Sequence, residues 1–536
     1  MSEYIEADAD VVVVGAGPVG LGLAIDLAKR GVSVQIIERR LEPQRVPKGQ
    51  NLTQRTGELL NRWGVSQAVR EASPIPPSYG NEGLTAYGSL MSGYHYDWFK
   101  RASVRAFYFA DNERLPQYEL ERVLRAKAAE LPNVSLILDA RFEALEQTPV
   151  GVRCQFSAGH LKAETPRKGL ISSRYLIGCD GARSQVKESV GLTQTTDARG
   201  RRMALVVLRS PSLHELLDHR FPGKTIFNVL NPELEGYWQF LGRVDLEGGF
   251  FFHAPVSDDA IAETFDFRGL LGSVIGVDVD AQFEYVGFWD LRFTQVNQYG
   301  NGRVFLAGDA AHSHPPYGGY GVNTGFEDAA NLSWKLSAVL QGWGGPSLLG
   351  SYSDERHPVF ASTRDDFIAQ MIADDASFVS TYNPTINLPE FESAWQRRAA
   401  GGQAQVQLYV PNYAGSSIVW GDASTRSSAK GEHQHVPRAG HHFSPRAFAE
   451  NEVSWDSLGP GFTLFHSTAF DVEAQALSEA SRRLGLPLGV RRVPKSSRDD
   501  RSCPGLVLVR PDDYVAFAAN ALPASADELL SRVAGR

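Results

Sequence analysis

The residues best suited to chemistry sit together in one segment, GDAAHSHPPYGGYGVNTGFEDAANLSWKL, residues 308 to 336. Asp309, His312 and His314 lead into Pro315-Pro316 and a Gly318-Gly319-Tyr320-Gly321 turn. On an extended chain a His-x-His pair projects both imidazoles to one side, a workable start for a metal site. A full ligand set needs more donors, and no cysteine or further histidine stands nearby to supply them. The other chemistry open to such a segment is a turn whose glycines, lacking Cβ, let backbone lie against a flat organic cofactor.

The elements around it favour the second. Residues 11–14, VVVV, are an all-apolar run of β-branched residues, as a strand buried on both faces requires. GAGPVG follows and sets Gly15, Gly17 and Gly20 in the G-x-G-x-x-G spacing. Val19, Leu23 and Leu27 recur every four residues, which predicts a helix stopped by Gly31. A second strand, VSVQII, ends at Glu38, eighteen residues past Gly20. In such a unit Gly15 permits the tight turn, Gly17 admits a pyrophosphate to the backbone, and Gly20 lets helix pack on strand. The helix start adds N–H donors and a positive dipole end for phosphate. Glu38 can accept from a ribose 2′-hydroxyl and would repel a 2′-phosphate, so the site suits FAD or NAD.

Two later strands carry companion motifs, RYLIGCDGARSQVKESVG (174–191) with Asp180-Gly181, and GRVFLAGDAAH (302–312) with Gly308-Asp309. Together GxGxxG, DG and GD resemble the group A flavoprotein aromatic monooxygenases, the para-hydroxybenzoate and phenol hydroxylase family, over residues 8–365. The resemblance implies a bound FAD and an NAD(P)H that docks transiently, since no second GxGxxG is present. It implies that Asp309 holds a ribityl hydroxyl, that Pro315 and Pro316 shape the turn along the isoalloxazine, and that Gly318, Gly319 and Gly321 admit the ring. The N–H groups of Val322 and Asn323 would face the flavin edge that gains negative charge on reduction. It also places Val19, Arg39, Arg45, Gln117 and Asp180 among the cofactor-binding residues. LPQYELERVLRAKA (115–128), which begins at that glutamine, is equally an amphipathic helix on its own periodicity. His312 is read as a packed residue.

Composition bounds the rest. A chain of 536 residues exceeds one ordinary core. A net charge of −9 without basic runs argues against a nucleic-acid partner. No apolar stretch is long enough to span a bilayer, and MSEYIEADAD lacks a signal-peptide pattern, so a cytoplasmic protein is expected. Cys154, Cys179 and Cys503 are too few and too scattered for a disulfide framework.

The expected fold is α/β: a Rossmann-like FAD-binding domain (1–80, 105–193, 285–365) interleaved with an antiparallel β-sheet substrate domain (81–104, 194–284). A helical or linker region (366–435) and a thioredoxin-like domain (436–536) follow. The last is implied by resemblance to the phenol hydroxylase branch, which also implies a homodimer; it lacks Cys-x-x-Cys, and its hairpin turn is Asp512-Asp513 where Asp-Gly would turn better. Aromatics recur through the substrate stretch (Tyr237, Trp238, Phe240, Phe250, Phe251, Phe252, Tyr285, Phe288 and Trp289), as a sheet roofing a small aromatic substrate would show and as any sheet with an apolar core would show equally. Hydroxylation of a phenol with NAD(P)H and O₂, through a flavin C4a-hydroperoxide, is the expected activity. It calls for a group that draws the phenolic proton, and His95, Asp97, Arg105, Tyr237 and His253 are unranked candidates. Oxygen insertion of the Baeyer–Villiger type, a larger polyketide or heteroaromatic substrate, and a flavin-binding sensor or scaffold are the alternatives.

Overall fold

The computed structural model describes residues 5–80, 82–159, 161, 166–402, 404–448, 453–493, 503–523 and 525–536. The first sheet is built on Ile5–Val14, whose Val11, Val12 and Val13 are fully buried. With it, four further strands make a parallel run in the order Val304–Leu306, Arg167–Gly178, Ile5–Val14, Val34–Ile37, Val134–Ile137. An antiparallel arm, Ala140–Gln147 and Val152–Ala158, pairs with the first half of Arg167–Gly178. Helices α1 (Pro18–Lys29), α2 (Gln54–Trp63), α3 (Gln117–Glu130), α4 (Gly321–Leu340) and α5 (Gly350–Ser362) accompany this sheet. Pro18 opens α1 where its missing N–H is no loss, and Thr53 caps α2 by accepting from Thr56 N.

The second sheet has eight strands among the described residues, with Gln194–Arg209 between Gln282–Val296 and Gly249–Val256. Glu82–Tyr87 joins it by pairing in parallel with Lys224–Leu230, so the two units do interleave. The boundary expected at 285 falls inside a strand: Gln282 to Val296 stays paired with Gln194–Arg209 and carries the second unit to Val296. The region 366–435 is more than a connector. Its helices Gln370–Thr381 and Leu388–Gly401 bring Phe378, Phe391 and Trp395 against Tyr87, with Phe391 and Tyr87 ring centroids 4.7 Å apart.

At the C-terminus four strands run in the order Leu488–Arg492, Phe462–His466, Leu506–Val509, Val515–Ala519, the first pair parallel and the others antiparallel. Helices α6 (Asp471–Leu484) and α7 (Ala526–Val533) share a core with this sheet, and Trp334 and Ala338 of α4 enter the same core. The hairpin with the unfavourable turn explains itself here. Asp513 adopts a left-handed φ of 68° and is buried, its carboxylate taken by Arg55 at 2.8 Å and by Arg62, both on α2. Beside it Arg510 grips Glu355 of α5 through two bonds of 2.6 and 2.9 Å, and Glu355 also accepts from Lys335 at 2.7 Å. The strain of a non-glycine residue at that turn is offset by a charge placed between two arginines.

Burial alone would raise the Asp513 carboxyl, but Arg62 and Arg55 outweigh it and hold it below the usual range. Its stabilisation is therefore present above the ordinary carboxylate pKa and lost as pH falls through the depressed one. Removing one partner of a buried pair costs about 3–5 kcal/mol. Asp513→Ala is expected to lower unfolding stability by about that amount in denaturant titration at neutral pH, and by less under acid conditions; equal stability would remove the clamp assigned to this turn.

Candidate active site

The three glycine-bearing motifs converge where the first sheet's strands end. Gly15 has φ of +106°, and a Cβ there would lie 2.4 Å from the Cys179 carbonyl oxygen. A Cβ on Gly20 would lie 2.0 Å from the Gly15 oxygen and 3.2 Å from the Cys179 Cβ. The first turn and the Cys179-Asp180-Gly181 turn therefore interlock, and only glycine fits between them.

Beside this junction lies a cleft of about 720 Å³, within the range of cofactor sites. Gly15, Gly17, Glu38, Arg39, Gln117, Asp180 and Asp309 all line it, although they come from five separate segments. Glu38 Oε2 accepts from the Ala16 N–H at 2.7 Å and Oε1 from the Arg40 N–H at 2.8 Å, so the carboxylate also fixes the glycine turn. Asp180 Oδ2 accepts from Gln185 N at 2.8 Å at the start of the short helix Gln185–Ser189, while its buried Oδ1 has no partner among the described residues. The start of α1 has no side-chain cap, which leaves its N–H groups to a ligand. An orphaned carboxylate oxygen, an uncapped helix start and a floor closed to any Cβ are what an FAD pyrophosphate and ribose need. Lys48, Arg125, Arg141 and Arg183 line the cleft too and were not singled out by the sequence. A signal for one existed: Gln117, Glu121 and Arg125 recur every four residues along α3 and line one wall.

Other expected residues act differently. Val19 packs against Gly308 and Gly325 and does not line the cleft. Gly20 is the packing contact just described. Arg45 is exposed and outside the cleft lining. Gly318 and Gly319 have φ of +72° and +65°, whereas Gly321 begins α4 with only ordinary contacts around a notional Cβ. Val322 lies over Gly49. The Asn323 side chain spends every hydrogen-bonding group internally, accepting from Thr53 N at 2.8 Å and Thr56 Oγ1 at 2.6 Å. It donates to Asn51 O at 2.8 Å and Gly319 O at 2.7 Å, tying α2 to the glycine turn.

His312 Nε2 meets Asp328 at 2.6 Å and its ring stacks on Phe360, while His314 Nδ1 bonds the Pro315 oxygen. Among the described residues no group of His, Cys, Asp and Glu is arranged to hold a metal. Asp328 also accepts from Gly308 N at 3.1 Å and Arg356 Nε at 2.7 Å. Burial would raise its carboxyl, but His312 and Arg356 outweigh this and lower it, so it stays charged and holds the strand end that presents Asp309.

Pro316 leaves the cleft and lines a second, narrow cavity with Met203, Trp238, Phe240, His253, Trp289 and Tyr317. Of the five proton-drawing candidates only His253 reaches it. His95 is exposed, Asp97 is paired with Lys100 and Lys224, Arg105 with Asp111, and Tyr237 lies under Arg201.

Residues 8–366 match the family described as FAD binding domain, and the chain belongs to it. The protein is an FAD-dependent monooxygenase. It is 29% identical to a 4-methyl-5-nitrocatechol 5-monooxygenase of Burkholderia sp, over 96% of this chain and 95% of that one. It is 29% identical to a putative polyketide hydroxylase of Streptomyces halstedii, over 97% and 94%. Among solved structures, the rebeccamycin biosynthetic enzyme RebC with reduced flavin superposes with a TM-score of 0.81 at 26% identity, covering 99% of this chain and 100% of that one.

With Asp309 placed in the cleft, Asp309→Ala is expected to weaken FAD binding about tenfold or more, as loss of a charge-assisted hydrogen bond does. Flavin absorbance per mole of purified protein measures it, and unchanged occupancy would remove the role given to this carboxylate.

Proposed function

We propose that the protein hydroxylates a phenolic ring, using FAD in the cleft, NAD(P)H as reductant and O₂ as oxygen source. The observation that carries this reading is one loop with two ends. Asp309 stands in the cleft, and seven and eight residues later Pro316 and Tyr317 stand in the aromatic cavity. Pro316 and Tyr317 at the second end would face the substrate, and Asp309 at the first would hold a flavin. Bound there, FAD supplies the activation of O₂ once reduced.

The chain's own residues do the rest. Trp238, Phe240 and Trp289 would wall a bound ring with apolar surface and so exclude water, which would otherwise divert the oxygen to hydrogen peroxide. Trp238 is fixed by donating its ring N–H to Asp375, and its backbone N–H donates to the Tyr317 hydroxyl at 3.1 Å. Asp309, Asp180, Glu38 and Gln117 would bind the ribityl chain, ribose and pyrophosphate region, with Arg39 at the outer end. The N–H groups of Val322 and Asn323 would meet the pyrimidine edge from the start of α4. NAD(P)H would approach without a Rossmann domain of its own. The C-terminal strand order, with its parallel pair followed by two antiparallel strands, supports the thioredoxin-like reading, and the absence of Cys-x-x-Cys argues for a structural rather than redox role. A homodimer belongs to the same reading through the family resemblance.

A larger polyketide substrate is the second reading, favoured by the likeness to the putative polyketide hydroxylase across nearly the whole chain. The test is purified holoenzyme with NADH or NADPH and a panel of single-ring phenols and fused-ring quinones under ¹⁸O₂. Faster nicotinamide oxidation and a phenol product carrying one ¹⁸O atom are expected. Protein without flavin absorbance, or oxidation untouched by any phenol, would overturn the proposal.

A further inference from the structure

We propose that His253 and Trp289 together hold the hydroxyl of an uncharged phenol, and that His253 takes its proton as the ring accepts oxygen. The proposal rests on the aromatic-hydroxylase reading of the cavity and names the group within it that handles the proton.

Strand register brings the two together. Gln194–Arg209 places Met203 and Leu205 on one face of the second sheet; Trp289 lies opposite Met203, and His253 opposite Leu205. Phe240 lies opposite His253 on the next strand. The imidazole and indole rings stand edge to face with centroids 5.7 Å apart. The polar groups of the cavity can then be counted. The Trp238 ring N–H is spent on Asp375, and the Tyr317 hydroxyl is engaged by Trp238 N. His253 Nδ1 and Trp289 Nε1 are both buried and have no partner among the described residues.

Two orphaned groups of opposite kind on one apolar wall define what completes them. An indole N–H only donates, and a neutral imidazole with its proton on Nε2 accepts at Nδ1. A hydroxyl donates once and accepts besides, so one hydroxyl oxygen satisfies both. A carboxylate would bring no proton for Nδ1, and among the described residues no Lys or Arg lines the cavity to balance its charge. The favoured substrate is therefore a neutral ring bearing a free hydroxyl.

The electron and proton movements follow from this placement. Burial holds the His253 imidazole down at about 4, so it is neutral and its lone pair is free. A resting phenol, of acidity near that of tyrosine at about 10, keeps its proton against so weak a base. When a ring carbon uses its π pair to bond the incoming oxygen atom, a lone pair of the hydroxyl oxygen becomes the second bond of C=O, and the O–H pair remains on oxygen when the proton leaves. The hydroxyl is then a protonated ketone, far more acidic than imidazolium, and Nδ1 takes the proton. Loss of the ring C–H proton to water and return of the His253 proton to the carbonyl oxygen restore the aromatic ring and the neutral imidazole. O₂ supplies the added atom; its other atom leaves as water with the electrons of the nicotinamide.

Two variants of the holoenzyme test it. His253→Asn keeps an acceptor near the Nδ1 position without its basicity, and Trp289→Phe keeps the ring without the donor. Both should retain FAD and melting temperature. His253→Asn should bind phenol within about threefold of wild type, yet form at least tenfold less hydroxylated product per nicotinamide oxidised, with hydrogen peroxide making up the difference. Trp289→Phe should weaken phenol binding about tenfold. Wild type should bind the methyl ether of the same phenol without hydroxylating it, and should show a solvent deuterium isotope effect on product formation, a readout that needs no variant. Full coupling in His253→Asn, or the absence of the isotope effect, would overturn the proton role; unchanged phenol affinity in Trp289→Phe would overturn the hydroxyl's placement. Wild type that hydroxylates no phenol would instead overturn the reading on which the inference rests.

Discussion

A helix with water on no face organises this molecule. Every residue of α4 from Asn323 to Ala338 is buried, so each of its polar side chains must find a partner inside the protein. Asn323 answers to α2 and the glycine turn, Asp328 to His312, Gly308 and Arg356, Ser333 to Asp26 of α1, and Lys335 to Glu355. These bonds reach α1, α2, α5 and the loop from Gly308 to Gly319. The cofactor cleft, the cavity wall and the C-terminal unit are therefore located relative to one helix, and an error at one of its polar positions would leave a charge or amide stranded in a dry interior.

The same requirement explains the loop on which function turns. Asp309 faces the cleft because the strand end before it is gripped by Asp328, and Pro316 and Tyr317 face the cavity because the glycines after them take left-handed backbone. The histidines of this loop, which look so much like chemistry in the sequence, are spent holding its shape. His312 is a hydrogen-bond partner of Asp328 and a stacking surface, and His314 braces the proline turn. A histidine with nothing conspicuous around it in the chain, His253, is the one that reaches the cavity.

What could be read from the sequence follows the range of the interactions. The glycine fingerprint, the DG and GD turns and Gln117 at a helix start are local patterns, each a strand end or turn with a steric reason, and they locate the cofactor cleft. Arg141 and Arg183 escaped because a surface-looking arginine differs from a cleft-lining one only in what faces it across a large sequence gap. The aromatics of 370–401 escaped because the strands they cover lie some 300 residues earlier. The register that sets His253 diagonally from Trp289 is a property of three paired strands and is invisible in any one of them.

The Asp513 turn has a consequence for inheritance. The C-terminal unit brings its own sheet and helices, and so looks exchangeable between relatives. Yet its hairpin tip sits between Arg55 and Arg62, and Arg510 closes on Glu355. A recombination that replaced the final hundred residues alone would set two arginines of α2 and one glutamate of α5 against strangers. Those distant codons are bound to travel as a set, and a unit that looks like a module in the fold behaves as a linked locus in descent.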